Sequence, residues 1–261
     1  SSLHSLGALC SGGIFTAGSS PIVIADTMAD QGIAGFITSG TVSMTKTGGT
    51  TATLTGVLSS GPLTMNGVGG TLNLGDGFTH SVTNVTLTNG TLDGGSSTLN
   101  VSGTWTGAAT FTANTGTVSF NAAGAQTLPT TATTFNILTL AGSGTKTLGS
   151  AIIVNSTLTI NNGVTLAVGA GNNAITVSGN WSNQGTFNAG TGTVTFNGGS
   201  ATVTTGGAEV AQEFYKVVVN STGTKTIFGE MMVNNALQID AGYFAGDKNV
   251  TVKGNDVIGN G

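Results

Sequence analysis

Two aspartates and a histidine in one stretch of the chain have the residue types of an acid-base or cation-binding site. Asp76 and Asp93 are 17 residues apart, and His80 lies between them. Carboxylates on adjacent turns of a repeat could serve as general acid and base, or could hold a cation. Each aspartate also precedes a glycine, a context in which aspartate commonly closes a turn. We therefore expect turn residues at both positions, and we predict that the chain is not an enzyme.

No other stretch has the spacing of a metal, cofactor or nucleic-acid site. His4 and His80 are far apart and lack partners at ligand spacing, so neither a metal ion nor a cofactor is predicted. The net charge is −4, with 6 basic residues and no arginine. A phosphate backbone is held by clustered lysine and arginine, so nucleic acid is not expected as a partner.

Threonines recur at alternate positions, as in Thr157-Leu158-Thr159 and Thr193-Val194-Thr195. Ranks of threonine on a flat sheet face could bind ice. The pattern is not sustained, because other turns place Ser, Asn, Gln or Val at those points. A lysine also separates the threonines of Thr145-Lys146-Thr147 and Thr224-Lys225-Thr226, and we expect it to interrupt the threonine surface. Ice binding is therefore not predicted.

The elements that must position these residues are internal repeats. Aromatic residues recur at a constant offset of 76 residues, as Trp105 and Trp181, Phe111 and Phe187, and Phe120 and Phe196. After a three-residue insertion the match continues, and Gly144-Thr145-Lys146-Thr147 pairs with Gly223-Thr224-Lys225-Thr226. Self-similarity of this kind indicates a fold built by stacking.

A shorter period lies inside the long unit. Triads in which one small or polar residue separates two apolar residues recur from Val42-Ser43-Met44 to Val250-Thr251-Val252, and from residue 100 onward most of them follow one another at steps of about 20 residues. This alternation predicts strands that send two side chains to one face and the middle one to the other. Asn-Gly and Gly-Gly steps between the triads predict tight corners. A sandwich has no reason to repeat its strands in sequence, so the pattern favours a solenoid.

The predicted fold class is all-β: a parallel β-helix, or β-solenoid, of about 11–12 coils with about 20 residues per coil. Residues 36–261 are predicted to form the β-solenoid repeat domain. Residues 1–35 do not repeat and are predicted to be an N-terminal segment, either a cap on its own coils or an assembly arm. Residues 209–215 coincide with the insertion, and they are expected to form a short helix or a loop.

Composition and charge favour an extracellular protein that associates. Charged residues are 6% of the chain, against about 25% in typical soluble domains. Sparse charge gives weak protection against self-association. No segment has the run of about 18 to 20 apolar residues that a membrane span needs, and the start lacks the features of an intact signal peptide. The Thr, Asn and Gly-rich repeats predict a secreted, extracellular or cell-surface location.

The predicted assembly sites lie towards the two ends of the repeat array. The C-terminal residues 249–258 stay in repeat register without a capping helix, and we expect them to present unpaired strand edges. The N-terminal segment is expected to pair with this edge on another copy, which would propagate as a head-to-tail homopolymer. Cys10, the single cysteine, is interpreted as buried, cross-linked to another chain or lipidated. The candidate assembly residues are Cys10, Ile22, Val23, Ile24, Val250, Val252, Val257 and Ile258.

Residues 179–198, from Gly-Asn-Trp-Ser-Asn-Gln-Gly to Thr-Val-Thr-Phe-Asn-Gly, and the Gly-Thr-Lys-Thr at 223–226 resemble the repeats of large secreted microbial surface proteins. These are β-solenoid adhesins of the filamentous haemagglutinin and autotransporter-passenger class. The resemblance implies a solenoid fold and an exterior location. The chain is much shorter than such adhesins, so we predict a structural subunit of an extracellular filament or surface coat. The alternative is a monomeric surface adhesin that binds glycans or other cells.

Overall fold

The structure is a computed structural model that describes residues 14–25, 29–206, 212–246, 248–254 and 256–259. In this part of the chain the regular elements are β-strands, and there is no helix that could cross a membrane. The strands pair in parallel with strands about 20 residues away and build about 11 turns. The predicted parallel β-solenoid is therefore confirmed. The chain forms two compact units, which divide after Ser119.

The described part of the first unit contains thirteen strands, most of them three or four residues long. They are β1 (Phe15–Thr16), β2 (Ile22–Ile24), β3 (Gln31–Ile33), β4 (Phe36–Thr38), β5 (Val42–Met44), β6 (Thr51–Leu54), β7 (Leu58–Ser60), β8 (Leu63–Asn73), β9 (Thr79–Val82), β10 (Val85–Asp93), β11 (Thr98–Val101), β12 (Trp105–Gly107) and β13 (Thr110–Thr112). Strand β14 (Thr117–Phe120) lies across the division between the units.

Three parallel ladders run through the first unit. One contains β1, β4, β7, β9 and β11, and another contains β2, β5, β8, β10 and β12. The third contains β3, β6, the second halves of β8 and β10, and β13. Each turn therefore contributes one short strand to each ladder, as the regular corners between the triads predict.

Apolar side chains occupy the same ladder position on successive turns and fill the core. One such position of the first unit is occupied on five turns by Ile22, Val42, Leu63, Val85 and Trp105. All five side chains are buried. Burying each of them is worth about 1.5–3 kcal/mol, so the stacked turns stabilise one another more than any single turn could stabilise itself.

The second unit repeats this architecture, with sixteen strands among its described residues. They are β15 (Gln126–Thr127), β16 (Thr133–Phe135), β17 (Ile137–Leu140), β18 (Gly144–Thr147), β19 (Ile152–Val154), β20 (Leu158–Ile160), β21 (Val164–Ala167), β22 (Ile175–Val177), β23 (Trp181–Asn183), β24 (Thr186–Asn188), β25 (Thr193–Gly198), β26 (Ala201–Thr204), β27 (Gln212–Phe228), β28 (Met231–Gly246), β29 (Val250–Val252) and β30 (Asp256–Gly259).

One ladder of the second unit is shorter than its neighbours. Among the described residues it contains β15, β18, β21 and β24. Strand β27 begins at Gln212, and residues 207–211 lie outside the described residues. The short helix or loop expected for 209–215 is wrong from Gln212 onward, because residues 212–214 belong to a strand and pair with Met231–Val233.

Candidate functional site

The two aspartates, Asp76 and Asp93, lie on neighbouring turns, and the side chain of each accepts hydrogen bonds at a corner between strands. Asp76 Oδ1 accepts hydrogen bonds from the amide (3.2 Å) and the hydroxyl (2.9 Å) of Ser96, one turn later. Asp93 Oδ1 accepts hydrogen bonds from the Gly95 amide (2.9 Å) and from Asn114 Nδ2 on the next turn. The prediction of turn residues holds for Asp76, which lies in a corner outside the strands, whereas Asp93 is the last residue of β10 and its carboxylate holds the corner that follows. Their polar contacts join successive corners of the stack.

His80 is buried, and both of its ring nitrogens have partners. Nδ1 lies 3.0 Å from the Leu58 amide nitrogen, and Nε2 lies 2.7 Å from the Leu74 carbonyl oxygen. Because a backbone N–H can only donate, Nδ1 is the acceptor and Nε2 carries the proton of a neutral ring. Burial lowers the pKa of His80 from its ordinary value, against the opposing effect of the Leu74 bond. The imidazole therefore acts as a neutral bridge between turns.

Lysine side chains also lie inside the stacked turns. Three of them are completely buried: Lys46, Lys146 and Lys225. Lys146 Nζ donates to the carbonyl oxygens of Ala122 (2.7 Å), Gly124 (3.0 Å) and Ser143 (3.1 Å). All three ammonium protons are therefore used by one corner of the backbone, which compensates for much of the cost of burying the charge. Burial still lowers the pKa of Lys146 from its ordinary value.

The repeated Thr-Lys-Thr sequence gives the same arrangement in a later turn. Lys225 Nζ donates to the Gly199 carbonyl (2.7 Å) and the Ser178 carbonyl (3.1 Å), and burial lowers its pKa as well. Lys46 Nζ donates to the Ala29 carbonyl at 2.7 Å in the first unit. The expectation that lysine interrupts a threonine surface is wrong, because the lysine side chains point inward and the flanking threonines point outward.

The outward residues of the shorter ladder form a charge-free face. In register, Thr145, Thr165 and Thr186 lie on three successive turns of β18, β21 and β24. A second line, two residues further along the strands, contains Thr127, Thr147, Ala167 and Asn188. We call these two lines the threonine face. Alanine and asparagine interrupt the second line, so the hydroxyl array is continuous along one line only.

A groove lies where the threonine face meets the following turns. Its volume is about 370 Å³. Its lining includes Thr165, Thr186 and Asn188 of the short ladder, together with Glu213 of β27 and Asn234 of β28. We call this the polar groove, and Phe187, Ala189 and Gly190 also line it. The sequence does not predict this groove, because the insertion before β27 breaks the constant repeat offset. The turn beside which Glu213 lies therefore cannot be read from the sequence.

Hydrogen bonds hold the walls of the polar groove in place. Glu213 Oε2 accepts from Asn234 Nδ2 at 3.2 Å, and Glu213 Oε1 lies 3.9 Å from Lys253 Nζ. Asn188 Oδ1 accepts a hydrogen bond from the Gly190 amide at 3.2 Å. The Glu213 side chain is 58% exposed, so its ion pair with Lys253 contributes little to stability.

Below the groove, a buried glutamine closes the end of the short ladder. Gln212 Oε1 accepts hydrogen bonds from the Phe187 amide (3.2 Å) and from Asn183 Nδ2 (2.9 Å). The Phe187 N–H belongs to β24, the last strand of this ladder among the described residues, and a buried N–H needs an acceptor. Gln212 supplies that acceptor and holds the β24 backbone beside the groove.

The N-terminal assembly candidates that the structure describes lie in a strand of the first unit. Ile22 and Ile24 are buried and pair with Val42 and Met44 of β5, whereas Val23 is half-buried between them. The Ile22 amide donates to Thr41, and the Ile24 carbonyl accepts from Thr45. Residues 22–24 therefore stack on their own chain. Cys10 lies outside the described residues.

The C-terminal assembly candidates belong to the last two strands. Val250 and Val252 are half-buried in β29, which pairs with Met231–Val233. Val257 and Ile258 belong to β30, whose backbone pairs with Ala236–Ile239 of β28. The structure thus places these valines and the isoleucine in the same parallel ladders as the turns before them.

Among the described residues, no three His, Cys, Asp or Glu side chains come together as a metal site. No family model, no curated protein and no solved structure matches the chain.

Proposed function

We propose that the chain is a structural subunit of an extracellular filament or surface coat, and that it assembles head-to-tail through the edges of its parallel ladders. The observation that carries this proposal is the equivalence of successive turns. In the ladder of β2, β5, β8, β10 and β12, each turn offers the next one a parallel strand edge, with buried apolar side chains at the same position. A turn from a second copy can add to such a ladder by the same hydrogen bonds.

The chemistry of the described side chains supports a structural role. The buried polar residues His80, Lys146 and Gln212 bond to the backbone and to other side chains of their own unit. The scarcity of surface charge favours association, because few like charges oppose the approach of two copies. The repeated, Thr-rich sequence supports an extracellular location, as in the surface proteins that it resembles.

The outer edge of β2 gives a direct test. The backbone of Ile22 and Ile24 bonds to β5, so alternation directs the Val23 N–H to the other edge, where β2 has no partner among the described residues. Val23→Pro deletes this N–H and leaves the β2–β5 hydrogen bonds intact. We expect the purified full-length protein to form polymers in sedimentation and negative-stain microscopy, and the Val23→Pro variant to remain monomeric with an unchanged circular dichroism spectrum.

Two results would contradict this proposal. Polymers of Val23→Pro identical to those of the parent protein would rule out assembly through β2. A parent protein that stays monomeric at every concentration would favour the alternative, a monomeric surface adhesin.

A further inference from the structure

The polar groove has the size and the construction of a ligand site. Its volume of about 370 Å³ falls within the range of about 300–1,000 Å³ that is typical of small-molecule pockets. Its side chains come from four different turns: Thr165 from one, Thr186 and Asn188 from the next, and Glu213 and Asn234 from two later ones. Side chains that converge from separate turns are positioned by the rigid ladders beneath them.

The lining determines which ligand chemistry fits. Hydroxyl and carboxamide groups both donate and accept hydrogen bonds, and the Glu213 carboxylate accepts them. This combination matches a molecule with many hydroxyl groups. A phosphate or sulfate would meet the Glu213 carboxylate, and the only cation beside it in the described structure, Lys253 Nζ, already faces that carboxylate at 3.9 Å. A purely apolar ligand would leave the polar lining unpaired, which is unfavourable.

The polar groups of the groove are already oriented. Asn234 holds one oxygen of Glu213, and the Gly190 amide holds Asn188 Oδ1, which leaves Asn188 Nδ2 available as a donor. Gln212 fixes the β24 backbone through the Phe187 amide. A ligand therefore does not have to pay for ordering these groups, which raises the affinity that a few hydrogen bonds can give.

We propose that the polar groove binds a neutral oligosaccharide, with sugar hydroxyls donating to Glu213 and exchanging hydrogen bonds with Asn188, Asn234 and Thr186. The line of hydroxyls at Thr145 and Thr165 leads into the groove and extends the contact along the threonine face. This inference goes beyond the proposed structural role and does not depend on it, since a groove on the side of the ladders serves a monomer or a polymer equally.

The experiment measures binding of cellohexaose, maltohexaose and mannohexaose to the full-length protein by isothermal titration calorimetry and saturation-transfer NMR. The groove variants are Glu213→Gln and Asn234→Ala. Asn155 occupies the matching position of the earlier repeat, outside the groove, so Asn155→Ala is the control. We expect at least one of the three sugars to bind and each groove variant to weaken it about tenfold, which corresponds to losing one hydrogen bond to a charged group or its support. The control should bind as the parent protein does.

The proposal is overturned if none of the three sugars binds, or if the groove variants bind as well as Asn155→Ala. It is also overturned if polygalacturonate, a polyanion, competes more strongly than the neutral sugars. Circular dichroism of each variant verifies that the fold is kept. None of these results bears on filament formation, which the Val23→Pro variant tests separately.

Discussion

Replacing His80 by leucine tests whether the buried imidazole joins the turns of the first unit. Leu58, His80 and Leu99 occupy the same ladder position on three successive turns. Leucine is therefore the residue that both neighbouring turns already accommodate. The substitution removes the two ring nitrogens and changes the packing little, so its effect reports mainly on hydrogen bonding.

The expected loss follows from the partners of each nitrogen. The Leu58 N–H is buried and loses its acceptor, which costs about 1–3 kcal/mol. The Leu74 carbonyl keeps a hydrogen bond from the Ser97 hydroxyl at 3.1 Å, so losing Nε2 costs it only about 1 kcal/mol. Burial of the more apolar leucine side chain stabilises the folded state by about 1 kcal/mol. We therefore expect His80→Leu to lower the unfolding free energy at neutral pH by about 1–3 kcal/mol.

Urea unfolding followed by tryptophan fluorescence measures this loss in the first unit. The chain has two tryptophans, one in each unit, so a Trp181→Phe background leaves Trp105 as the reporter of the first unit. Amide hydrogen exchange should show weaker protection of the Leu58 N–H in the variant. The reasoning is refuted if His80→Leu is as stable as its background protein and the Leu58 amide remains equally protected.

Three further outcomes follow from the same contacts. Burial lowers the pKa of His80 from its ordinary value of 6.5, so near and below that pH the folded state binds fewer protons than the unfolded state. The unfolding free energy of the first unit should therefore fall as the pH drops below 6.5. Urea titrations at a series of pH values should show this dependence for the parent protein and a weaker dependence for His80→Leu. Acetylation of the native protein followed by mass spectrometry should modify the exposed lysines and spare the buried ones, and modification of all six at equal rates would contradict the inward orientation of Lys46, Lys146 and Lys225. A Cβ at Gly179 would lie 2.0 Å from the Ser156 carbonyl oxygen, so Gly179→Ala should lower the thermal unfolding midpoint by an amount equivalent to about 1–3 kcal/mol. A Cβ at Gly124 meets nothing within 4 Å, so Gly124→Ala should change the thermal midpoint little.

The ladders could be predicted because each of their strands is marked in the sequence by its own apolar-polar-apolar triad. In Val42-Ser43-Met44 and Leu63-Thr64-Met65, alternation separates the buried from the outward side chains, and equal spacing aligns the triads. The orientation of Lys146 was also encoded, although polarity alone suggested the opposite. Lys146 precedes the buried Leu148 by two residues, as Lys225 precedes Ile227, so period-two alternation places both lysines inside.

The polar groove could not be predicted in the same way. It depends on which turns Asn188 and Glu213 occupy, and the three-residue insertion between the two repeats obscures the register that relates them. Hydrophobic alternation also carries no information about outward residues, because Thr, Asn and Glu are all compatible with a solvated strand face. Only the stacking of turns brings Thr186 and Glu213 to the same groove.

Burying Lys46 leaves the first unit with surface charge of a single sign. Lys46 is the only lysine or arginine in residues 1–119, and the described acidic side chains of that unit all reach solvent: Asp30, Asp76 and Asp93. The second unit exposes both signs, including the cations of Lys248 and Lys253. The exposed carboxylates of two first units therefore repel each other, whereas the exposed Lys248 and Lys253 of another copy attract those carboxylates. Both effects act at low ionic strength, and added salt screens them.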